Sequence, residues 1–219
     1  MDDWTRRQAE AGESRVLAME SEGRAARAVV TRRPYPAPIE DVWDAIVTPE
    51  RLQRWFLPVS GELREGGRYQ LEGNAGGVIN RCEAPTLLAV TWEMQDGIGW
   101  VNVKLDARDE SGCVMTLEHI THDGPGFLTC WEQFGPGALG VGWDIGLLGL
   151  ADHLRDEGDP LIGDEAVWVA SGDGQGFLRI AFDGWVTAEV EFGTDAAQAQ
   201  QAGARTFAFY TGADEGGAG

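Results

Sequence analysis

The string Glu118-His119-Ile120-Thr121-His122-Asp123 sets two imidazoles among carboxylates, which is the composition of a metal site or an acid–base pair. Residues three apart on a strand point to opposite faces, so the two rings could converge on a metal only if the chain turned after Ile120. No metal site is expected. His119 is in phase with Met115 and Leu117 on the apolar side of its strand. It reads either as a buried histidine with a satisfied hydrogen bond or as a polar group in a pocket, able to orient a ligand or move a proton near neutral pH. Tyr69 is the other candidate for acid–base catalysis.

Other chemistries are poorly served. Glycosidase-like work needs two carboxylates facing each other across a cleft, and the acids here sit on the outward alternation or in turns, with Glu93 and Glu118 the nearest to exceptions. There is no Gly-x-Ser-x-Gly elbow, and Ser60, Ser111 and Ser171 lie in turn-like contexts. Cys82, Cys113 and Cys130 form no CxxC pair, and Cys82 and Cys113 read as inert buried thiols in strands. Asn74-Ala75-Gly76-Gly77 is a hairpin turn and not a phosphate loop, because no Gly-Lys-Ser/Thr follows it. No cofactor is implied.

The elements that must position these residues follow from periodicity. Met1 to Gly23 is polar and mixed in charge and predicts a poorly packed arm or a short helix. Arg24–Arg33 holds the β-leaning Ala28-Val29-Val30-Thr31, stopped by the run Pro34-Tyr35-Pro36-Ala37-Pro38. Two short helices come next, one opening at Pro38 and one capped by Thr48 with Pro49 in its first turn. From Leu57 to Thr121 the period shortens to two, and about six strands are expected: Val59–Leu63, Arg68–Glu72, Val78–Cys82, Leu87–Met94, Val101–Ala107 and Cys113–Ile120. Gly97-Ile98-Gly99 is one of the turns between them. Alternation puts Tyr69, Leu88, Val90, Trp92, Val103 and Met115 on one apolar side. A long helix over Ala138–Arg155 repeats Leu139, Trp143, Leu147, Leu150 and Leu154, with Gly142, Gly146 and Gly149 on an adjacent stripe that either packs closely or leaves room for something else. After a break at Asp156-Glu157-Gly158-Asp159-Pro160, Gly174–Phe192 and a segment capped by Thr194 form a helical hairpin, and Asp214–Gly219 is tail.

Charge limits the partners. The 219 residues carry 36 acids and 17 bases, a net charge of −19, and only the first 33 residues are not acidic. Such a surface repels phosphate backbones and anionic headgroups, so neither nucleic acid nor a membrane is an expected partner. No apolar run reaches the length of a membrane span, no signal peptide is read, and the odd, unpaired cysteines fit a reducing cytoplasm.

Strand, two short helices, antiparallel meander and one long helix make an α+β helix-grip arrangement. Within it, Ala37-Pro38-Ile39-Glu40-Asp41-Val42-Trp43-Asp44-Ala45, Leu52-Gln53-Arg54-Trp55-Phe56, Gly66-Gly67-Arg68-Tyr69 and Leu88-Ala89-Val90-Thr91-Trp92 match a known pattern. With Thr116-Leu117-Glu118-His119 and the run from Gly142 to Leu150, they resemble the SRPBCC superfamily of START, birch-pollen-allergen and polyketide-cyclase relatives. The nearest branch is the one named after the activator of the Hsp90 ATPase. The likeness covers about Arg24–Arg155, giving an arm over 1–23, a helix-grip domain over 24–156 and a helical extension over 157–219. That extension is similar to one on actinobacterial members.

The resemblance implies a cavity between curved sheet and long helix that takes a small hydrophobic molecule. The contact residues it implies are Trp55, Phe56, Tyr69, Trp92 and Val103, then Met115, Leu117, His119, Trp143 and Leu147. Trp100 and Trp131 read as core aromatics. Two alternatives stand beside binding: a cyclase- or hydrolase-like enzyme using His119 or Tyr69, and a co-chaperone or protein-interaction module. Phe177, Trp185, Phe207 and Tyr210 give the extension an apolar stripe that the core or a second subunit must cover, which leaves a homodimer through the C-terminal helices open.

Overall fold

Asp2 caps the first helix, α1 (Asp3–Glu10), by accepting from the amides of Trp4 and Thr5. The chain then enters a hairpin of β1 (Glu13–Ser21) and β2 (Arg24–Tyr35). The hairpin turns on Glu22 and Gly23, both with positive φ, the backbone that a tight two-residue loop requires. The polar composition of 1–23 predicts an arm or a short helix, and the short helix is α1. The segment also supplies an edge strand, β1, which needs few apolar residues because only Val16 is buried within it.

Next come α2 (Ile39–Val47) and α3 (Pro49–Leu52), followed by the meander β3 (Val59–Gly61), β4 (Arg68–Leu71), β5 (Gly76–Glu83), β6 (Leu87–Met94), β7 (Gly97–Asp109) and β8 (Gly112–His122). Thr48 caps nothing, its hydroxyl being bonded to Asp44. The eight strands form one antiparallel sheet in the order β1-β2-β8-β7-β6-β5-β4-β3. All six expected meander strands are present. Gly97-Ile98-Gly99, expected as a turn, belongs to β7 and pairs with β6 and β8. Cys82, next to the end of β5, is exposed, contrary to its reading as a buried thiol, and Cys130 is exposed too. Cys113 is buried, and burial pushes its thiol up to about 11.

Beyond the sheet lie α4 (Pro125–Phe134), α5 (Gly137–His153), α6 (Glu165–Ala170), α7 (Gly172–Phe192) and α8 (Ala196–Thr211). The computed structural model describes residues 1–94, 97–155 and 160–212; the expected helix break at 156–159 and the tail after 213 fall outside them. α4 and α6 are additions to the expected elements, and α7, at 21 residues, is longer than α5, at 17. The cap of α8 is Asp195, because the Thr194 hydroxyl is spent on Glu189. No single helix among the described residues is long and apolar enough to cross a membrane.

α5 is apolar on nearly every side because it is covered on nearly every side. Leu147 and Leu150 pack toward the sheet with Tyr35, Val42, Leu105 and Met115. Val141, Ile145 and Leu148 pack away from it against Phe177, Leu178 and Trp185 of α7. A Cβ at Gly140 would overlap the Trp185 indole, so that glycine sets how closely the two helices meet. The apolar stripe of the extension is thus covered within the chain, with Phe207 and Tyr210 packed edge-on against Phe182, and it supplies no argument for a second subunit.

A buried polar cluster fixes the position of α5. Asp144 accepts from the Thr31 hydroxyl at 3.2 Å and the Trp185 indole at 2.7 Å, with the Arg33 guanidinium 4.0 Å away. Arg33 also donates to the Gln8 carbonyl at 2.6 Å, and the Tyr35 hydroxyl donates to the Leu147 carbonyl at 3.1 Å. One carboxylate therefore joins β2, α5 and α7, and its arginine adds α1. Burial pushes Asp144 above the usual carboxylate range, and Arg33, Trp185 and Thr31 pull it back. Removing Asp144 strands a guanidinium that is 1% exposed. Asp144→Ala is expected to cost about 3–5 kcal/mol in urea unfolding, and Arg33→Met/Asp144→Leu to recover at least half of that loss. A loss under about 1 kcal/mol for Asp144→Ala would contradict this role.

Candidate functional site

Alternate side chains of β4 to β8 point toward α5, and sheet and helix do not close completely on each other. Between them lies an apolar chamber of about 150 Å³. Tyr69, Val90, Val103, Met115 and Leu117 form its sheet side, Trp143 and Leu147 its helix side, and Ile46 and Leu52 close one end. Apolar cavities of about this volume hold a benzene ring. A second, outer cleft of about 940 Å³ follows α5 from Ala138 to His153.

Trp55, Phe56, Trp92, Trp143 and Gly146 border both spaces. Phe56 stacks on Trp143 at 5.9 Å between ring centres, and Trp143 meets Trp92 edge-on at 5.0 Å. The glycine stripe of α5 is the seat for this partition. A Cβ at Gly149 would lie 2.7 Å from the Trp55 carbonyl oxygen, and one at Gly146 would lie 3.4 Å from the Phe56 ring. The Trp55 indole donates to the Ala45 carbonyl at 2.9 Å, and Arg51 ties α3 to Asp41 at 2.7 Å and Asp44 at 2.9 Å. The stripe both packs closely and leaves a groove beside it.

Tyr69, Val103, Met115, Leu117 and Leu147 line the chamber, Trp55, Phe56, Trp92 and Trp143 border both spaces, and His119 lines the outer cleft. Leu71, Ile79, Val90 and Val101 also line the chamber. Leu71, Val90 and Val101 share the alternation that marked their neighbours, so a signal for them existed. Ile162, just before α6, with Glu165 of α6 and Tyr210 of α8 also lines the outer cleft, and no local pattern announces that contact. Glu93 and Glu118 are on the other face of the sheet, paired with Arg68 at 2.6 Å and Lys104 at 3.0 Å. The two imidazoles of β8 also part company, since His122 packs edge-on against Trp100 at 4.8 Å and contacts the Ser21 carbonyl at 3.0 Å.

The sequence model of the family described as activator of Hsp90 ATPase homolog 1-like protein matches residues 36–134. CalU16 from Micromonospora echinospora is similar over a wider span. Its solution structure is 30% identical with a TM-score of 0.64, covering 84% of this chain and 97% of that one. The chain belongs to the activator of Hsp90 ATPase homolog 1-like family. That is the SRPBCC branch its motifs resemble. The CalU16 crystal structure agrees, at 28% identity and a TM-score of 0.61 over 81% of this chain and 98% of that one. EF2215 from Enterococcus faecalis, at 16% identity and a TM-score of 0.58 over 87% and 97%, shares the fold. No curated protein matches the chain.

In this family member the two acid–base candidates are held in particular states. The Trp143 indole donates to His119 Nδ1 at 3.1 Å, so the neutral ring carries its proton on Nε2. Burial lowers the His119 pKa to about 4. The imidazole is thus neutral at pH 7. The Tyr69 hydroxyl donates to the Thr91 carbonyl at 2.7 Å, and burial first, then the Glu93 charge, raises its pKa well above the usual phenol value. Its oxygen is committed to the backbone, and its ring faces the chamber.

A histidine whose folded pKa lies below its unfolded value near 6.5 gives stability that is present above that value and lost as pH falls toward the folded one. Between pH 7 and pH 5 the protein is expected to lose about 2 kcal/mol through His119, and the His119→Asn variant should lack that component of the decline. Urea unfolding at the two pH values measures the difference. Equal pH slopes in the two proteins would contradict the buried neutral state.

Proposed function

We propose that the protein binds a small, flat, largely apolar molecule, with one ring inserted between sheet and α5 among Val103, Met115, Leu117, Trp92 and Trp143. The observation that carries this reading is the chamber itself, apolar around its lining and sized for a ring, with an open cleft beyond its aromatic partition. Burying roughly 300 Å² of apolar ligand surface at about 25 cal/mol per Å² gives about 7–8 kcal/mol before the cost of lost ligand freedom. Rigid rings at the partition add geometric selection for a flat ligand.

Binding is favoured over turnover by the same residues. A proton-transfer catalyst works best with a pKa near the operating pH. His119 is displaced downward and Tyr69 upward from that range. The co-chaperone alternative draws on no feature of this cavity.

A naphthalene-sized probe is expected to bind with a Kd on the order of 10–100 µM, followed by quenching of tryptophan emission. Val103→Phe, which fills the chamber from β7, should weaken that binding at least about tenfold while the protein keeps its cooperative unfolding. Unchanged affinity in a folded Val103→Phe variant would remove the chamber from the account.

A further inference from the structure

We infer that the ligand is an elongated amphiphile whose flat apolar end fills the inner chamber and whose uncharged, hydroxyl-rich remainder lies along the outer cleft against the C-terminal helices. This rests on the binding reading above and goes further, because the chamber accounts for only the smaller of two adjoining spaces. The cleft follows α5 from Ala138 to His153, about 22 Å at 1.5 Å per residue, and its volume of about 940 Å³ far exceeds the 150 Å³ of the chamber. Since Trp55, Phe56, Trp92 and Trp143 border both, these rings are the wall that the two spaces share, and one molecule occupies both where that wall parts.

The linings of the two spaces differ in kind. Gln53, Arg54, Asn74 and Asp152 line the cleft together with Glu165 and Tyr210. An alkyl chain would offer these groups no hydrogen bonds, at a cost for each one desolvated. Both signs of charge are present, so the wall selects neither an anion nor a cation, and the net charge of −19 further disfavours anions. Amide, carboxylate, guanidinium and phenol groups beside exposed aromatic faces are the donors, acceptors and stacking surfaces that a polyhydroxylated group uses. Tyr210 reaches the cleft over Gly142, where a Cβ would sit 3.4 Å from its hydroxyl. Glu165 and Tyr210 both lie outside residues 36–134, so the polar end meets the helical extension, while the apolar end lies between the matched segment and α5.

The test compares 2-naphthol with 2-naphthyl β-D-maltoside by calorimetry on the full chain. The disaccharide is expected to bind at least about tenfold more tightly. Tyr210→Leu and the exposed-site variant Glu165→Ala should each remove most of that gain while leaving 2-naphthol unchanged. Equal affinities for the two probes, or a gain that survives both substitutions, would overturn the inference and leave the chamber reading intact. Failure of both probes to bind would overturn the chamber reading and this inference with it.

Discussion

Asp144 is the constraint on which the rest depends. A buried carboxylate is tolerable only with partners, and this one takes them from β2 and α7, with the Arg33 guanidinium beside it and, through that, the end of α1. Those partners fix the rotation of α5 about its own axis. With Asp144 turned toward β2 and α7, Trp143 and Leu147 face the chamber and the Gly142–Gly146–Gly149 stripe faces the cleft. A helix held only by apolar contacts could rotate or slide at little cost. The hydrogen-bonded acid gives it one position, and the two spaces follow from that position.

A second consequence runs through Trp143. Its ring is part of the partition, and its indole N–H sets the tautomer of His119. The same residue therefore forms part of the wall between chamber and cleft and decides which nitrogen of His119 carries the proton. Desolvation of the imidazole, which lowers its pKa, is a result of the sheet and helix closing on it and not of a nearby charge. Family membership brings the scaffold, while the chemistry available to a ligand is set by these few side chains.

Much of this was legible in the sequence. Period-two alternation located all six meander strands, and the apolar face it defined contains the residues that line the chamber. The unread parts share a physical cause: their structure is decided by contacts distant in sequence. β1 looks like a polar arm because an edge strand buries only Val16. Asp144 sits in a helical pattern as one acid among many, and its burial depends on Arg33 and Trp185, over 100 residues before it and 41 after it. Tyr210 and Glu165 reach the cleft from helices whose own pattern shows only that they pack on something. Cys82 reads as buried because it sits in a strand, and its exposure next to the end of β5 depends on what covers the sheet there.

The most direct test of the central claim is native mass spectrometry of the protein isolated from the cells that make it, recorded with and without denaturation. The account predicts a mass increment that disappears on denaturation and releases a small molecule containing a flat apolar ring. A protein that carries no small molecule and is held instead in a stoichiometric complex with a second polypeptide would contradict it.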